Sequence, residues 1–232
     1  LGLKMIHTKK WESLFGIKKR TEGEDITQCH MDLALSIQEV LEELVIKMVI
    51  HIKQITGSRN LCLAGGIALN CVLNTKIKDL RLFDQIHIQP ASGDAGGALG
   101  AALLSYHLLN VNKEPSKTGM KDCYLGPSYQ EQDILECIHK YNATFTKFDN
   151  WEELCRIISN KLSMGKIIGW FQGRMEFGPR ALGNRSILAD ARPKEMQSNL
   201  NQRIKFRESF RPFAPIVLED HAPKIFKNGS PS

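Results

Sequence analysis

No CxxC pair and no His/Cys cluster at zinc-ligand spacing occurs in this chain, although it holds six cysteines. They are scattered at positions 29, 62, 71, 123, 137 and 155. That scatter argues against a zinc ribbon and fits a reducing compartment better than a disulfide framework, so a cytoplasmic location is expected. Long apolar runs are also missing. The longest candidate, Leu44–Ile55, is broken by Lys47, His51 and Lys53, so no membrane span is expected. No charged segment followed by an apolar stretch opens the sequence, and no signal peptide is read. There is no GxxxxGK[ST] and no clean GxGxxG, which excludes a P-loop and a simple dinucleotide fingerprint. No internal repeat is found, which excludes a solenoid. The start at Leu1 and the finish at Asn228–Ser232 lead us to expect a fragment of a longer chain.

With 42% hydrophobic and 24% charged residues, the composition is that of an ordinary globular protein. At 232 residues there is room for one large or two modest domains. The informative property is where the charge sits. Between Arg174 and Arg211 lie nine Lys or Arg (Arg174, Arg180, Arg185, Arg192, Lys194, Arg203, Lys205, Arg207 and Arg211) against four acids (Glu176, Asp190, Glu195 and Glu208). The balance of +5 is nearly the whole chain's +6. Gly173, Gly178, Pro179, Gly183, Pro193 and Pro212 punctuate this stretch and fix backbone geometry. Arginines on rigid turns suit planar recognition of a small phosphate or carboxylate.

Apolar residues at Ile37, Val40, Leu41, Leu44, Val45, Met48, Ile52 and Ile55 recur at helical spacing, predicting a helix over 32–56 that stops at Gly57. Ahead of it, residues 1–27 read as polar and irregular, with an apolar patch from Trp11 to Phe15. Residues 60–64 read as a strand that runs into Gly65-Gly66 and a helix over 69–78. Residues 85–89 read as a second strand, running into the 92–97 glycine turn and a helix to Leu109. This alternation predicts α/β layers. Residues 110–121, polar and carrying Pro115 and Gly119, are the expected linker. Beyond it we expect helices over 131–141 and 151–164, a strand over 166–171, the arginine loop, a strand over 186–189, a helix over 195–204 and a final strand over 215–218. Trp170, Phe171, Phe177, Phe206, Phe210 and Phe213 flank these elements and are expected in the core.

A glycine turn that opens a helix offers backbone N–H groups and a positive dipole end to an anion. Tight strand–helix packing and N-capping explain one such turn equally well. Two at one sheet edge, at 64–70 and 92–102, point towards a nucleotide, because ligands gather at the carboxyl ends of strands.

In order along the chain, LCLAGGIALNCVLN, PASGDAGGALGAA, GWFQGRMEFGPRALGNRSILADAR and KFRESFRPFAP resemble the nodulation- and antibiotic-type O-carbamoyltransferases, from Trp11 to about Asp220. The resemblance implies half of an actin/hexokinase-type (ribonuclease H-like) nucleotide-binding domain over 1–115, followed by a YrdC-like α/β domain over 120–232. It implies that carbamoyl phosphate is broken down in the second domain. The carbamoyl group passes to ATP as carbamoyl adenylate and then, in the first domain, to a hydroxyl of a sugar or natural product, with iron or another divalent metal in the site. It places Gly65, Gly66 and Asn70 beside the adenosine, Gly93 and Gly96 in the second turn, and Asp94 at a metal-ligand position. Lys205 and Arg207 match an anion-pocket pair; Arg174, Arg180, Arg185, Ser186 and Arg211 match the motif around it. His7 and His30 lie outside the family's histidine motif, so this chain alone is not expected to complete a metal site. The implied partners are a small hydroxyl acceptor and, through apolar helix edges, a possible homodimer, with neither nucleic acid nor membrane.

Other readings stay open on residues alone. The arginines suit a solvated face paired with Glu176, Asp190, Glu195 and Glu208, or a nucleic-acid surface whose affinity falls steeply with salt. A relative in tRNA threonylcarbamoylation or hydrogenase maturation would use similar domains, although the block GPRALGNRSILADAR speaks against it.

Overall fold

The computed structural model describes residues 6–21, 23–111 and 120–226. The chain divides into two compact units, Leu1–Lys113 and Glu114–Ser232. Most of the expected linker, residues 112–119, lies outside the described residues.

The first unit runs α1 (Thr8–Phe15), α2 (Gln28–Thr56), β1 (Asn60–Leu63), a 3-10 turn (Gly66–Leu69), α3 (Cys71–Asp79), β2 (Gln85–Ile88) and α4 (Asp94–Leu109). β1 and β2 pair in parallel, Asn60 opposite Gln85 and Leu63 opposite Ile88, so both glycine turns leave the same sheet edge. A small apolar core of Val49, Leu61, Leu73 and Ile77 joins α2, β1 and α3, with Val45, Leu63, Leu82, Phe83 and Ile86 packed around it. Beside this core the buried Glu42 accepts from Gln38 Nε2 at 2.7 Å and pairs with Lys76. The opposite face of α2 stays exposed through Ile37, Val40, Leu44, Met48 and Ile55, and α4 buries no residue at all.

Two expectations need correction here. Residues 8–15 are helical rather than irregular. The Trp11 and Phe15 rings meet 5.1 Å apart across one turn, and Gly16 ends the helix at φ 65°. α2 starts four residues earlier than expected because the Thr27 N–H finds His30 Nδ1 at 3.1 Å, a local cap.

The second unit runs α5 (Glu131–Lys140), α6 (Trp151–Ser163), β3 (Ile168–Phe171), β4 (Arg185–Leu188), α7 (Met196–Asn199), a π-turn (Leu200–Ile204), a 3-10 turn (Glu219–His221) and α8 (Ala222–Ile225). β3 and β4 are antiparallel, with Trp170 opposite Ser186 and Phe171 opposite Arg185. Asn150 caps α6 by accepting from the N–H groups of Glu152 and Glu153 at 2.9 and 3.2 Å. Trp151 then sets its ring 5.7 Å from Trp170 in an edge-on contact.

Both units mix helices with a short sheet, the α/β class that the sequence implies. The expected strand over 215–218 does not form. Pro212 and Pro215 remove two donors, and Ile216 and Leu218 are exposed with no neighbouring strand among the described residues. The expected helix over 195–204 is shorter, giving way to the π-turn after Asn199. The aromatic expectation also fails in part: Phe171, Phe206, Phe210 and Phe213 are exposed, and only Trp170 and Phe177 are half-buried.

Candidate functional site

The arginine loop is organised around a carboxylate, not around a ligand-shaped ring of arginines. Glu176 is buried, and its Oε1 accepts the backbone N–H groups of Leu182, Asn184 and Arg185 at 2.8, 2.9 and 3.2 Å. Arg185 Nε lies 3.1 Å from Oε2, while Arg185 Nη2 donates to Gly178 O at 2.9 Å. Burial pushes the Glu176 carboxyl up, but the N–H groups of Leu182, Glu176 itself, Asn184 and Arg185 outweigh it and hold the group at about 2. The carboxylate therefore fills an anion nest made by its own loop. The buried Ser186 closes the turn by accepting the Gly183 N–H at 3.0 Å.

The loop is tied to the segment before α5. Arg174 donates from Nε to Gly126 O at 3.0 Å and from Nη2 to Leu125 O at 3.1 Å. Asn184 Nδ2 returns to Arg174 O at 2.7 Å, and Tyr124 Oη donates to Leu182 O at 3.0 Å. Burial, with the charges of Cys123, Glu176 and Asp122 adding to it, pushes that phenol up, which keeps it a donor. Lys121, Asp122, Tyr124, Leu125, Arg174 and Asn184 line an open cleft of about 400 Å³ here.

Arg207 and Arg211 belong to a second cluster. Asn201, fully buried, donates from Nδ2 to Ser209 O at 3.0 Å and Arg211 O at 2.7 Å, and accepts from Arg207 Nε at 2.7 Å. Gln197, one helical turn earlier, donates to Phe210 O and Arg211 O. Arg207 also lies 5.0 Å over the Phe213 ring, and Arg211 pairs with Glu208 at 2.9 Å. Arg192 grips Asp190 through Nε and Nη2, and these bonds with the Arg192 N–H hold that carboxyl down at about 2. The Arg180 and Lys205 side chains are exposed and make no hydrogen bond or ion pair among the described residues. Sequence reasoning named Glu176 only as an ion-pair partner and missed its backbone cradle, and it missed Asn184, Gln197 and Asn201. Of these only Glu176 had a signal, as the lone acid inside a basic glycine loop.

In the first unit the two glycine turns touch, the Gly65 N–H donating to Ser92 O at 2.7 Å with Gly65 at φ 95°. The backbone at Gly65, Gly66 and Gly93 is open, with nothing within 4 Å of where a Cβ would stand. Gly96 differs: a Cβ there would lie 2.1 Å from Ala91 O, so its bareness serves packing. Asn70 is engaged internally. Its Oδ1 caps α3 at Leu73 N (3.1 Å), and its Nδ2 donates to Gln38 Oε1 at 2.8 Å. Ser92 Oγ is buried without a partner. Asp94 is exposed at the first turn of α4. Among the described residues no three His, Cys, Asp or Glu converge to hold a metal. No helix among the described residues is long and apolar enough to cross a membrane.

Two family models match in succession: carbamoyltransferase N-terminus over residues 3–103 and carbamoyltransferase C-terminus over residues 159–232. The chain belongs to the carbamoyltransferase family. It is 46% identical to the uncharacterized protein sll1178 of Synechocystis over all of this chain and 38% of that protein. It is 42% identical to nodulation protein NolO of Bradyrhizobium diazoefficiens over 92% of this chain and 39% of that protein. A nodulation protein U of Rhizobium fredii is 39% identical over 75% of this chain and 28% of that protein. The chain thus spans less than two fifths of the length of these relatives.

Proposed function

We propose that this chain is part of an O-carbamoyltransferase that uses carbamoyl phosphate and ATP to carbamoylate a hydroxyl of a sugar or natural product. The observation that carries this reading is the pair of family models matching in order along one chain. In the same reading the first unit is the second lobe of an actin/hexokinase-type nucleotide domain, and the second unit is YrdC-like.

The chemistry of the second unit supports an anion site. Carbamoyl phosphate is a small dianion with a planar amide end, and fixed guanidinium and ammonium groups bind such phosphates by charge-assisted hydrogen bonds. They also stabilise the charge left on the departing phosphate. Of the cations named for this site, the Arg180 and Lys205 side chains have no internal partner among the described residues. Arg174, Arg185, Arg207 and Arg211 are each held by internal contacts, which aims their remaining N–H groups. Ser186 keeps its hydroxyl hydrogen to donate. In the first unit, the open backbone at Gly65, Gly66 and Gly93 and the unpartnered Ser92 hydroxyl suit a nucleotide approaching the turns. ATP supplies the acceptor for the carbamoyl group when bound.

Calorimetric titration with carbamoyl phosphate tests the anion site. Saturable binding is expected in the parent, with Arg180→Ala and Lys205→Ala each weakening it about tenfold. Undiminished binding in both variants would sink the assignment.

A further inference from the structure

Phe206 stands out on two counts. It is an aromatic residue at φ 48°, and it is 84% exposed between Lys205 and Arg207. The backbone explains where it sits. The Lys205 N–H returns to Leu200 O and the Arg207 N–H to Asn201 O, both at 3.0 Å. Phe206 is therefore the left-handed residue that ends the π-turn. Elsewhere in this chain that task at helix ends falls to Gly16, Gly57 and Gly165 and to Asn142, residue types that take a left-handed backbone cheaply. Among the described residues Arg81 is the one other exception. A phenylalanine in this costly conformation with its ring exposed has little burial to offset the strain. Strain of this kind, beside a π-turn, is characteristic of residues that meet a ligand.

We infer that Phe206 is a stacking platform for the base of a nucleotide whose phosphates lie on the flanking cations. The ring supplies a flat apolar face, Lys205 supplies a cation with no internal partner, and Arg207 is fixed beside it by Asn201 and Phe213. Stacking is tolerant of base identity, so the ligand class is a nucleoside polyphosphate. This rests on the proposed use of carbamoyl phosphate and ATP and extends it: besides the nucleotide approach at the first unit's turns, a nucleotide also meets the second unit. It adds a residue that the basic motif alone does not single out.

The test titrates the whole chain with ATP, with inorganic tripolyphosphate and with carbamoyl phosphate, for the parent, Phe206→Gly and Phe206→Trp. In Phe206→Gly, ATP affinity falls about tenfold or more, tripolyphosphate and carbamoyl phosphate affinities hold, and Tm is unchanged or higher. Phe206→Trp keeps ATP affinity. Unchanged ATP affinity in Phe206→Gly overturns the proposal, as does an equal loss for tripolyphosphate or no ATP binding by the parent. A lowered Tm in Phe206→Gly assigns the ring to structure and also overturns it. So does tighter, steeply salt-dependent binding of a single-stranded oligonucleotide, which would make the platform a nucleic-acid surface. Failure of the carbamoyl phosphate reading is visible separately, as absence of carbamoyl phosphate binding while ATP still responds to Phe206.

Discussion

Among the described residues each unit buries one glutamate, and the two are held in opposite ways. Glu42, in the first unit, is met by side chains: Gln38 from its own helix and the half-exposed Lys76 from α3. These partners hold its carboxyl below the usual range. Glu176, in the second unit, is met chiefly by backbone N–H groups of one loop. Side chains can rotate away from a changed partner and find water, whereas backbone donors cannot leave without unmaking the loop. Glu42 therefore joins two elements that an apolar core already brings together. Glu176 is the core of its loop, and the loop is where the family's basic motif lies.

The largest expected effect follows from that difference. Glu176→Gln loses about 3 kcal/mol of stability above pH 4.5, from a carboxyl held at about 2 instead of its ordinary 4.5. Urea unfolding measures it, and faster hydrogen exchange at the amides of Leu182, Asn184 and Arg185 locates it. The sign in the parent is fixed by a lowered native value. The contribution is complete above about 4.5 and disappears as pH falls towards 2, so parent and variant converge in acid. Glu42→Gln has a smaller effect on the urea midpoint, with no loss of protection in the 182–185 amides. Equal effects from the two substitutions would erase the contrast between them. The smallest effect is that of Lys47→Ala. Its partner Glu43 is an exposed i,i+4 residue, and no measurable change is expected in the midpoint.

Elements with strong periodicity or glycine stops were legible in the sequence: α2, β1, β2, α4, α5, α6 and the two strands around the arginine loop. They depend on local patterns that burial reinforces. The 215–218 strand was misread because a strand needs a partner, and partners are not encoded locally. Phe206 and Phe210 were misread for a related reason, since apolar character alone does not say which way a loop turns a ring. Acids that could pair with the arginines were visible, and three do so: Glu176 with Arg185, Asp190 with Arg192 and Glu208 with Arg211. What could not be read is that the first carboxylate is held by three backbone donors of its own loop. Hydrogen bonds from main chain to side chain depend on turn geometry that residue types do not specify. The roles of Asn201 and Gln197 were hidden in the same way.

The grip of Arg174 and Tyr124 has a kinetic side. These contacts join residues 48, 49 and 58 positions apart in the chain, whereas α5 and α6 form from neighbours. Closing so long a loop loses chain entropy before any contact compensates. The helices of the second unit are thus expected to form first. The arginine loop would assemble last during refolding, as a late phase that Glu176 completes.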